Sequence, residues 1–482
     1  MKSKTVFSNF IWRFAERCGA QLVSAIVSVI LARLLMPADY GVVAMVTVFI
    51  TVLNVFISNG LGNALIQKKN ADDTDFSTVF YTNIVFCLTL YTLLFLASPL
   101  ISRFYNRPEM TPMLRVLGLV LIISGVKNIQ MAYVSRNMQF KRFFFATLGG
   151  TLGAAVLGIW MAYRGYGAWA LIAQHLFNMA VDTLILWLTV KWRPKRLFSF
   201  ERLKGLFSYG WKLLVSALIS TLYENLRSLI IGKKYSSEDL AFYKKGEIWP
   251  GLFVTNINSS IDSVLLPAMS REQDDAAAVK AMTRRAIKTS TYLMAPALMG
   301  LCFISEPLVR LVLTDKWLPL LPYQRIFCIT YLFYPIHTAN LNAIKATGRS
   351  DLFLKLEILK KGIGLVLLLT TMWFGVMAMA YSLLVNSVAS QIINTWPNKK
   401  LLDYGYPEQL KDILPAIALA VGMGAIVYCV KFLHLSDVAT LAIQIPLGVL
   451  IYAGGSILFK MESFRYLLSL AKSFFRKRRQ PE

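Results

Sequence analysis

The sequence has few of the residues that cover soluble proteins or hold metals and disulfides. Only 16% of its 482 residues are charged and 56% are hydrophobic, whereas roughly 25% of an average soluble domain is charged. It contains three histidines and five cysteines. The cysteines lie in apolar segments without the paired spacing of a zinc site. A soluble protein, a disulfide framework and histidine-rich metal chemistry are therefore not expected.

The sequence also lacks the short motifs that carry phosphate and hydrolytic chemistry. It has no glycine-rich phosphate loop, no Gly-x-Ser-x-Gly and no His-Glu-x-x-His. ATP hydrolysis by this chain is not expected without such a loop. We predict a protein that is not an enzyme and needs no cofactor. Its driving force would be an ion gradient, substrate supply or capture by a partner.

Long apolar runs occupy most of the chain. Only helices and closed barrels satisfy their backbone hydrogen bonds in lipid, and these runs are too long and continuous for the alternating ten-residue strands of a barrel. We therefore predict an all-α integral membrane protein with about 14 transmembrane helices of roughly 20 residues each. No stretch between them looks able to fold as a separate domain.

Basic residues dominate the charge, with 51 Lys plus Arg against 26 Asp plus Glu. Such a balance normally suggests nucleic-acid binding, but the apolar content argues against that partner. About two thirds of the Lys and Arg residues fall in one alternating set of loops that includes both termini. Because cytoplasmic loops carry the positive excess, we predict that both termini are cytoplasmic.

A faint internal repeat suggests two similar halves. Two helical faces carry polar residues at spacings of 4, 4, 3 and 4, about 200 residues apart. They are Arg13, Arg17, Gln21, Ser24 and Ser28 in the first span, and Lys212, Ser216, Ser220, Tyr223 and Arg227 in the seventh. The following turns, with Asp39 and Asp239, share this offset. Coincidence is the alternative, because polar residues cluster on the inward faces of any bundle.

The repeat predicts two pseudo-symmetric lobes of six helices followed by two extra helices. The N-lobe would be 1–200 with spans 1–6, and the C-lobe 201–400 with spans 7–12. Spans 13 and 14 would occupy 401–459. Residues 460–482 alternate apolar and basic side chains, which predicts an amphipathic cytoplasmic helix on the anionic leaflet. A tail that binds a protein partner is the alternative.

Several basic residues fall inside the predicted spans, where a charge costs at least about 2.5–3.5 kcal/mol. We predict that some of them line a hydrated cavity between the lobes and bind an anionic ligand. Arg is well shaped for bidentate phosphate contact. The candidates are Arg17, Lys127, Lys212, Arg227 and Arg325. Snorkelling of helix-end side chains to the membrane surface is the alternative.

The acidic residues within the spans form a second set of candidates. Glu224 lies three residues before Arg227 and could simply pair with it. Asp182, Glu247 and Asp262 have no obvious oppositely charged neighbour in their own helices. Each of the four is a candidate for H⁺ or Na⁺ coupling, and the coupling ion is left open.

Six segments of the chain carry a family resemblance through their order and spacing between residues 10 and 400. They are LARLLMPADYGVVAM (31–45), NGLGNALIQKK (59–69), RNMQFKR (136–142), LLPAMSREQDD (265–275), LTDKWLPLLPYQRIF (313–327) and KATGRSDLFLKLEILKK (345–361). Together they resemble the polysaccharide transport branch of the MOP superfamily, the Wzx-type flippases. The resemblance is strongest to exporters of colanic acid and lipopolysaccharide.

The resemblance implies a flippase in the bacterial cytoplasmic (inner) membrane. Such proteins move a polyprenyl-diphosphate-linked oligosaccharide outward by alternating access, for lipopolysaccharide, capsule or exopolysaccharide synthesis. Cationic residues in a central cavity would engage the diphosphate or acidic sugars. That role is carried here onto the five basic candidates. A polysaccharide polymerase and anionic lipids are candidate partners, and we expect a monomer.

Three other functions compete with this one. A cation-coupled small-molecule exporter of the MATE type would share the fold, but cationic drugs favour acidic cavities. A membrane-embedded polysaccharide polymerase or ligase would need a large outward loop, which the sequence lacks. A lipid scramblase without sugar specificity is the fourth possibility, and sequence reasoning leaves it open.

The repeated polar face generates a first prediction. Replacing both Lys212 and Arg227 with Ala should abolish surface polysaccharide while leaving the protein in the membrane, since both cations lie on one face of the seventh span. Polysaccharide staining and an immunoblot of the membrane fraction measure the two quantities. Normal export by the double variant would defeat the cavity assignment of these residues.

Overall fold

The computed structural model describes residues 3–58, 61–68 and 70–477. Within these ranges the regular structure is helical, with seventeen α-helices and two short 3₁₀ turns. The chain divides into two compact units, Met1–Ala241 and Phe242–Glu482. The all-helical class predicted from the long apolar runs is confirmed for the described residues.

The first unit contains eight helices. Their bounds are α1 Ser3–Leu34, α2 Pro37–Ser58, α3 Leu61–Gln67, α4 Asp73–Tyr105, α5 Met110–Arg136, α6 Phe140–Tyr163, α7 Ala168–Thr189 and α8 Phe200–Lys234. α6 and α7 pack along most of their lengths, as do α4 and α5, and α1 packs on α6. Asp72 caps α4 and forms a capping box with Asp75, which fixes where that helix begins.

The segment between α7 and α8 is tied to the start of α4. The backbone N–H groups of Lys195 and Ser199 donate to the hydroxyls of Ser77 and Thr78, each at 3.0 Å. Arg202 pairs with Asp72, and this hydrogen bond lowers the pKa of Asp72 to about 2. These contacts hold the first turn of α8 against the start of α4.

The second unit contains the remaining helices. Their bounds are α9 Ser237–Arg271, α10 Ala276–Leu313, α11 Leu321–Tyr331, α12 Tyr334–Ala346, α13 Ser350–Thr371, α14 Val376–Leu402, α15 Tyr406–Cys429, α16 Asp437–Leu458 and α17 Glu462–Lys477. The first turn of α9 belongs to the first unit. α10 is the centre of packing, because α11, α12, α15 and α16 all contact it.

Buried amides tie three helices of the second unit together. Asn340 on α12 donates to Gln409 Oε1 on α15 at 2.8 Å, and Gln409 Nε2 returns a hydrogen bond to Asn340 Oδ1 at 3.0 Å. Asn398 on α14 also donates to Asn340 Oδ1, at 2.7 Å. All three side chains are fully buried. Because a buried amide must find partners, this network favours one arrangement of α12, α14 and α15.

Ten described helices are long and apolar enough to cross a membrane, fewer than the predicted 14. The apolar run 320–344 predicts one continuous helix, but the structure divides it into α11 and α12. The physical reason is Pro335, which has no N–H to continue the helix and disfavours helical geometry in the residue before it. α9 and α13 are long but are not among the ten.

The turns of the internal repeat adopt the same local structure. α1 ends at Leu34 and α8 at Lys234, and the next helices begin at Pro37 and Ser237. In each turn an aspartate in the first turn of the second helix accepts from the backbone N–H three residues earlier. Met36 donates to Asp39 at 3.0 Å, and Ser236 donates to Asp239 at 3.2 Å. The similarity of these turns is confirmed, and the division into two lobes of six helices stays a prediction.

The two turns also touch each other through a glycine. A Cβ added to Gly41 would lie 1.8 Å from the carbonyl oxygen of Ser237, so only glycine allows this approach. The preceding helix also contacts α2, because Gly232 of α8 lies against the Met45 side chain of α2. Glycine at a helix contact lets the backbones come close, which is a common basis of helix association in membranes.

Gly41 therefore provides a stability test. Gly41→Ala should destabilise the protein by roughly 1–3 kcal/mol, because the methyl group would push against rigid backbone. Gly205→Ala is the matched control, since a Cβ there meets nothing within 4 Å and alanine favours the helix. Thermal unfolding of both variants in the same detergent gives the comparison. Equal midpoints would contradict the close contact.

Candidate functional site

An ion pair lies inside the apolar layer of the first unit. Lys127 of α5 and Asp182 of α7 form it, with the ammonium hydrogen-bonded to Oδ2. The two side chains are only 14% and 11% exposed. The structure thus brings together one predicted substrate-binding cation and one predicted ion-coupling carboxylate.

A run of glycines on α6 positions the α7 side of this pair. A Cβ on Gly150 would lie 2.8 Å from Asn178 Oδ1 and 3.3 Å from Asp182 Cβ. Gly149 and Gly153 leave similar room for side chains of α7. The missing side chains let the two helices approach closely, which fixes the height and direction of Asp182.

A small cavity of about 220 Å³ lies beside the same face of α7. Its polar lining comes from Thr47 of α2 and from Gln174, His175 and Asn178 of α7. Sequence reasoning missed these three α7 residues. Their spacing could have indicated this polar face, because Gln174, Asn178 and Asp182 are four residues apart and share one side of the helix. Ligand pockets usually measure about 300–1,000 Å³, so this cavity suits a few waters or an ion.

Lys127 and Asp182 neutralise each other's charge. Each charge is satisfied by the other, and removing one partner would leave an uncompensated charge in a low-dielectric layer. Asp182 was predicted to have no opposite charge in its own helix, and its partner is on α5 instead. An anion that binds Lys127 therefore competes with Asp182, and a cation that binds Asp182 competes with Lys127.

The predicted residues of α8 have different environments. Lys212 is exposed and Arg227 is half-buried. Glu224 is exposed, and within the described ranges no ion pair joins it to Arg227, contrary to one prediction from their spacing. Arg17 lies outside the residues whose side chains are described.

Arg325 ties two helices of the second unit. Its Nε lies 3.4 Å from Ser305 Oγ on α10. The first unit contains the same arrangement, because Arg115 Nε donates to Ser98 Oγ on α4 at 3.1 Å. In both units the serine is fully buried and its hydroxyl donates to a carbonyl three residues earlier. Each arginine therefore has a helix-joining contact.

The two acidic candidates of α9 each have a neutral donor. Tyr331 donates to Glu247 Oε1 at 2.9 Å, and Lys244 lies 3.5 Å from the other carboxylate oxygen. Lys244 precedes Glu247 by one helical turn, so the expectation of no charged neighbour in its helix was wrong. Asn342 donates to Asp262 Oδ1 at 2.5 Å. The described residues contain no group of three or more metal-binding side chains.

Comparison with known proteins shows the family to which this chain is similar. The profile described as "Polysaccharide biosynthesis protein" matches residues 30–322. Teichuronic acid biosynthesis protein TuaB of Bacillus subtilis (strain 168) is 23% identical over 83% of this chain and 84% of TuaB. Lipopolysaccharide biosynthesis protein WzxC of Escherichia coli (strain K12) is 23% identical over 76% of this chain and 74% of WzxC.

Solved structures share the fold. The lipid II flippase MurJ in an inward closed conformation aligns with a TM-score of 0.77 at 14% identity, covering 95% of this chain and 100% of MurJ. An inward-facing multidrug resistance MATE family transporter of the MOP superfamily aligns with a TM-score of 0.62 at 15% identity, covering 80% and 94%. At such identities the likeness concerns the fold.

The buried pair predicts a coupled stability effect. Lys127→Met should cost roughly 3–5 kcal/mol, because the Asp182 carboxylate would remain buried without its counter-charge. Lys127→Met combined with Asp182→Leu should recover most of that loss. Unfolding midpoints of the wild type, both single variants and the double variant form a cycle. Additive losses would contradict the pairing.

Proposed function

Because the chain belongs to the polysaccharide biosynthesis protein family, we propose that it is a flippase for polyprenyl-diphosphate-linked oligosaccharides. The buried Lys127–Asp182 pair supports this proposal most strongly. A membrane-embedded cation that must release a carboxylate to act is suited to an anionic substrate. Relatives are named for teichuronic acid biosynthesis and for succinoglycan transport, so the product would be a surface polysaccharide.

The mechanism we propose is an exchange of partners at Lys127. A diphosphate entering from the cytoplasmic leaflet would take the ammonium, since a charge-assisted contact with phosphate can replace the one to Asp182. The freed carboxylate would then take up H⁺ or Na⁺, or return to Lys127 when the substrate leaves. Lys212, Arg227, Arg325 and Arg17 are proposed as further cations along the path, with Glu224, Glu247 and Asp262 as further coupling candidates.

A MATE-type exporter of cations is the second candidate, and the shared fold is its support. The same ion pair argues against it, because Asp182 offers no unpaired carboxylate to a cation while Lys127 is present. The flippase proposal includes alternating access of two lobes and cytoplasmic termini. It also includes a monomeric state and contact with a polysaccharide polymerase.

The experiment tests transport and the role of Lys127 together. Cells of the source organism without this chain should lose surface polysaccharide and accumulate the lipid-linked oligosaccharide in the inner leaflet. Wild-type protein should restore export. The double variant Lys127→Met, Asp182→Leu should fold and reach the membrane but reduce export at least tenfold, because the cation is gone.

Two outcomes would contradict separate parts of this proposal. Normal export by the double variant would remove Lys127 from the mechanism while leaving the flippase intact. Purified wild-type protein in vesicles should also move a labelled polyprenyl-diphosphate oligosaccharide between leaflets. If it moved ethidium along a proton gradient and left that lipid in place, the MATE-type function would replace the flippase.

A further inference from the structure

A groove of about 810 Å³ lies in the second unit, along α15 and α16 and the first turn of α17. Its wall is mainly apolar, with Leu419, Met423 and Ile426 from α15 and Ile451 from α16. The volume is in the upper part of the range for pockets that bind small hydrophobic ligands. The groove is separate from Lys127 and Asp182, which belong to the first unit.

Glycines shape the groove. A Cβ added to Gly422 would meet nothing within 4 Å, so its missing side chain leaves open space in the wall. Gly455 instead allows close packing, because a Cβ added there would lie 2.5 Å from Leu419 Cδ1. α16 can therefore approach α15 at Gly455 while the space at Gly422 stays unfilled.

The walls are held in place by α10. Tyr292 of α10 shares a 2.7 Å hydrogen bond with the Ser456 hydroxyl of α16. Tyr452 of α16 donates to the Tyr292 carbonyl oxygen at 2.9 Å. All three side chains are buried or largely buried. A pre-formed groove of this kind loses little entropy when a ligand enters.

Charge at the rim selects an anion. The acidic residues there are already neutralised: Glu462 pairs with Lys288, and Asp412 accepts from Arg284 at 2.8 Å. Lys411 and Lys460 also line the groove, and neither ammonium has an acidic partner among the described residues. A polar rim with two unmatched lysines and an apolar wall complements a lipid with an anionic head.

We propose that this groove binds an anionic phospholipid, with an acyl chain along the Gly422 wall and the phosphate between Lys411 and Lys460. In the predicted orientation the rim lies on the cytoplasmic side, where anionic lipids attract basic residues. α17 starts at the rim and presents Arg465 and Lys472 as exposed cations. The bound lipid would join α15, α16 and α17 at the membrane surface, and the site does not depend on the proposed transport function.

The test is lipid binding by the purified full chain. Native mass spectrometry of delipidated protein titrated with phosphatidylglycerol should show one tight adduct, and phosphatidylethanolamine should bind far more weakly. Lys411→Ala with Lys460→Ala should weaken phosphatidylglycerol binding about 30-fold, since each lysine near the surface contributes a factor of about five. Lys399→Ala with Lys400→Ala removes the same charge outside the groove and should leave binding unchanged.

A second pair of variants tests the apolar wall. Gly422→Leu fills the groove and should weaken phosphatidylglycerol binding at least tenfold. Gly454→Leu is its control, because a Cβ there also meets nothing within 4 Å and the residue does not line the groove. Equal binding by Gly422→Leu and Gly454→Leu would overturn the proposal. So would equal loss in the two lysine pairs, or a preference for polyprenyl phosphate over phosphatidylglycerol.

Discussion

A charge inside an apolar layer must be paired, and this requirement organises the first unit. Lys127 and Asp182 satisfy it across α5 and α7. The glycines of α6 let α7, which carries Asp182, approach α6 closely. Because burying two charges is costly, the pair is a weak source of net stability, and we propose a role in transport for it.

Buried neutral polar groups must also find partners, and they do so through hydrogen bonds between helices. The second unit joins α12, α14 and α15 through Asn340, Asn398 and Gln409, which satisfy one another away from water. Arg115 and Arg325 each reach a buried serine on the neighbouring helix. In a membrane the hydrophobic effect does not drive helices together, so close packing and such hydrogen bonds carry the specificity of assembly.

Sequence reasoning predicted the helical class, the family and the equivalence of the Asp39 and Asp239 turns. It failed where contacts join different helices. Lys127 and Asp182 are separated by 55 positions, and no periodicity within either helix links them. It also counted 320–344 as one span, although Pro335 signalled a break. Gln174, His175 and Asn178 were missed because neutral polar residues were weighed less than charges.

The sequence by itself determined a helical membrane protein with an unusual number of intramembrane cations, because length and hydropathy of a segment act locally. Tertiary structure alone decided which cation meets which carboxylate. It also decided that Lys288 pairs with Glu462, whereas Lys411 and Lys460 have no acidic partner within the described part of the chain. These charge pairings depend on how closely the helix backbones approach each other. Glycines such as Gly150 and Gly455 set the distance between backbones, but only once their partner helices are in place.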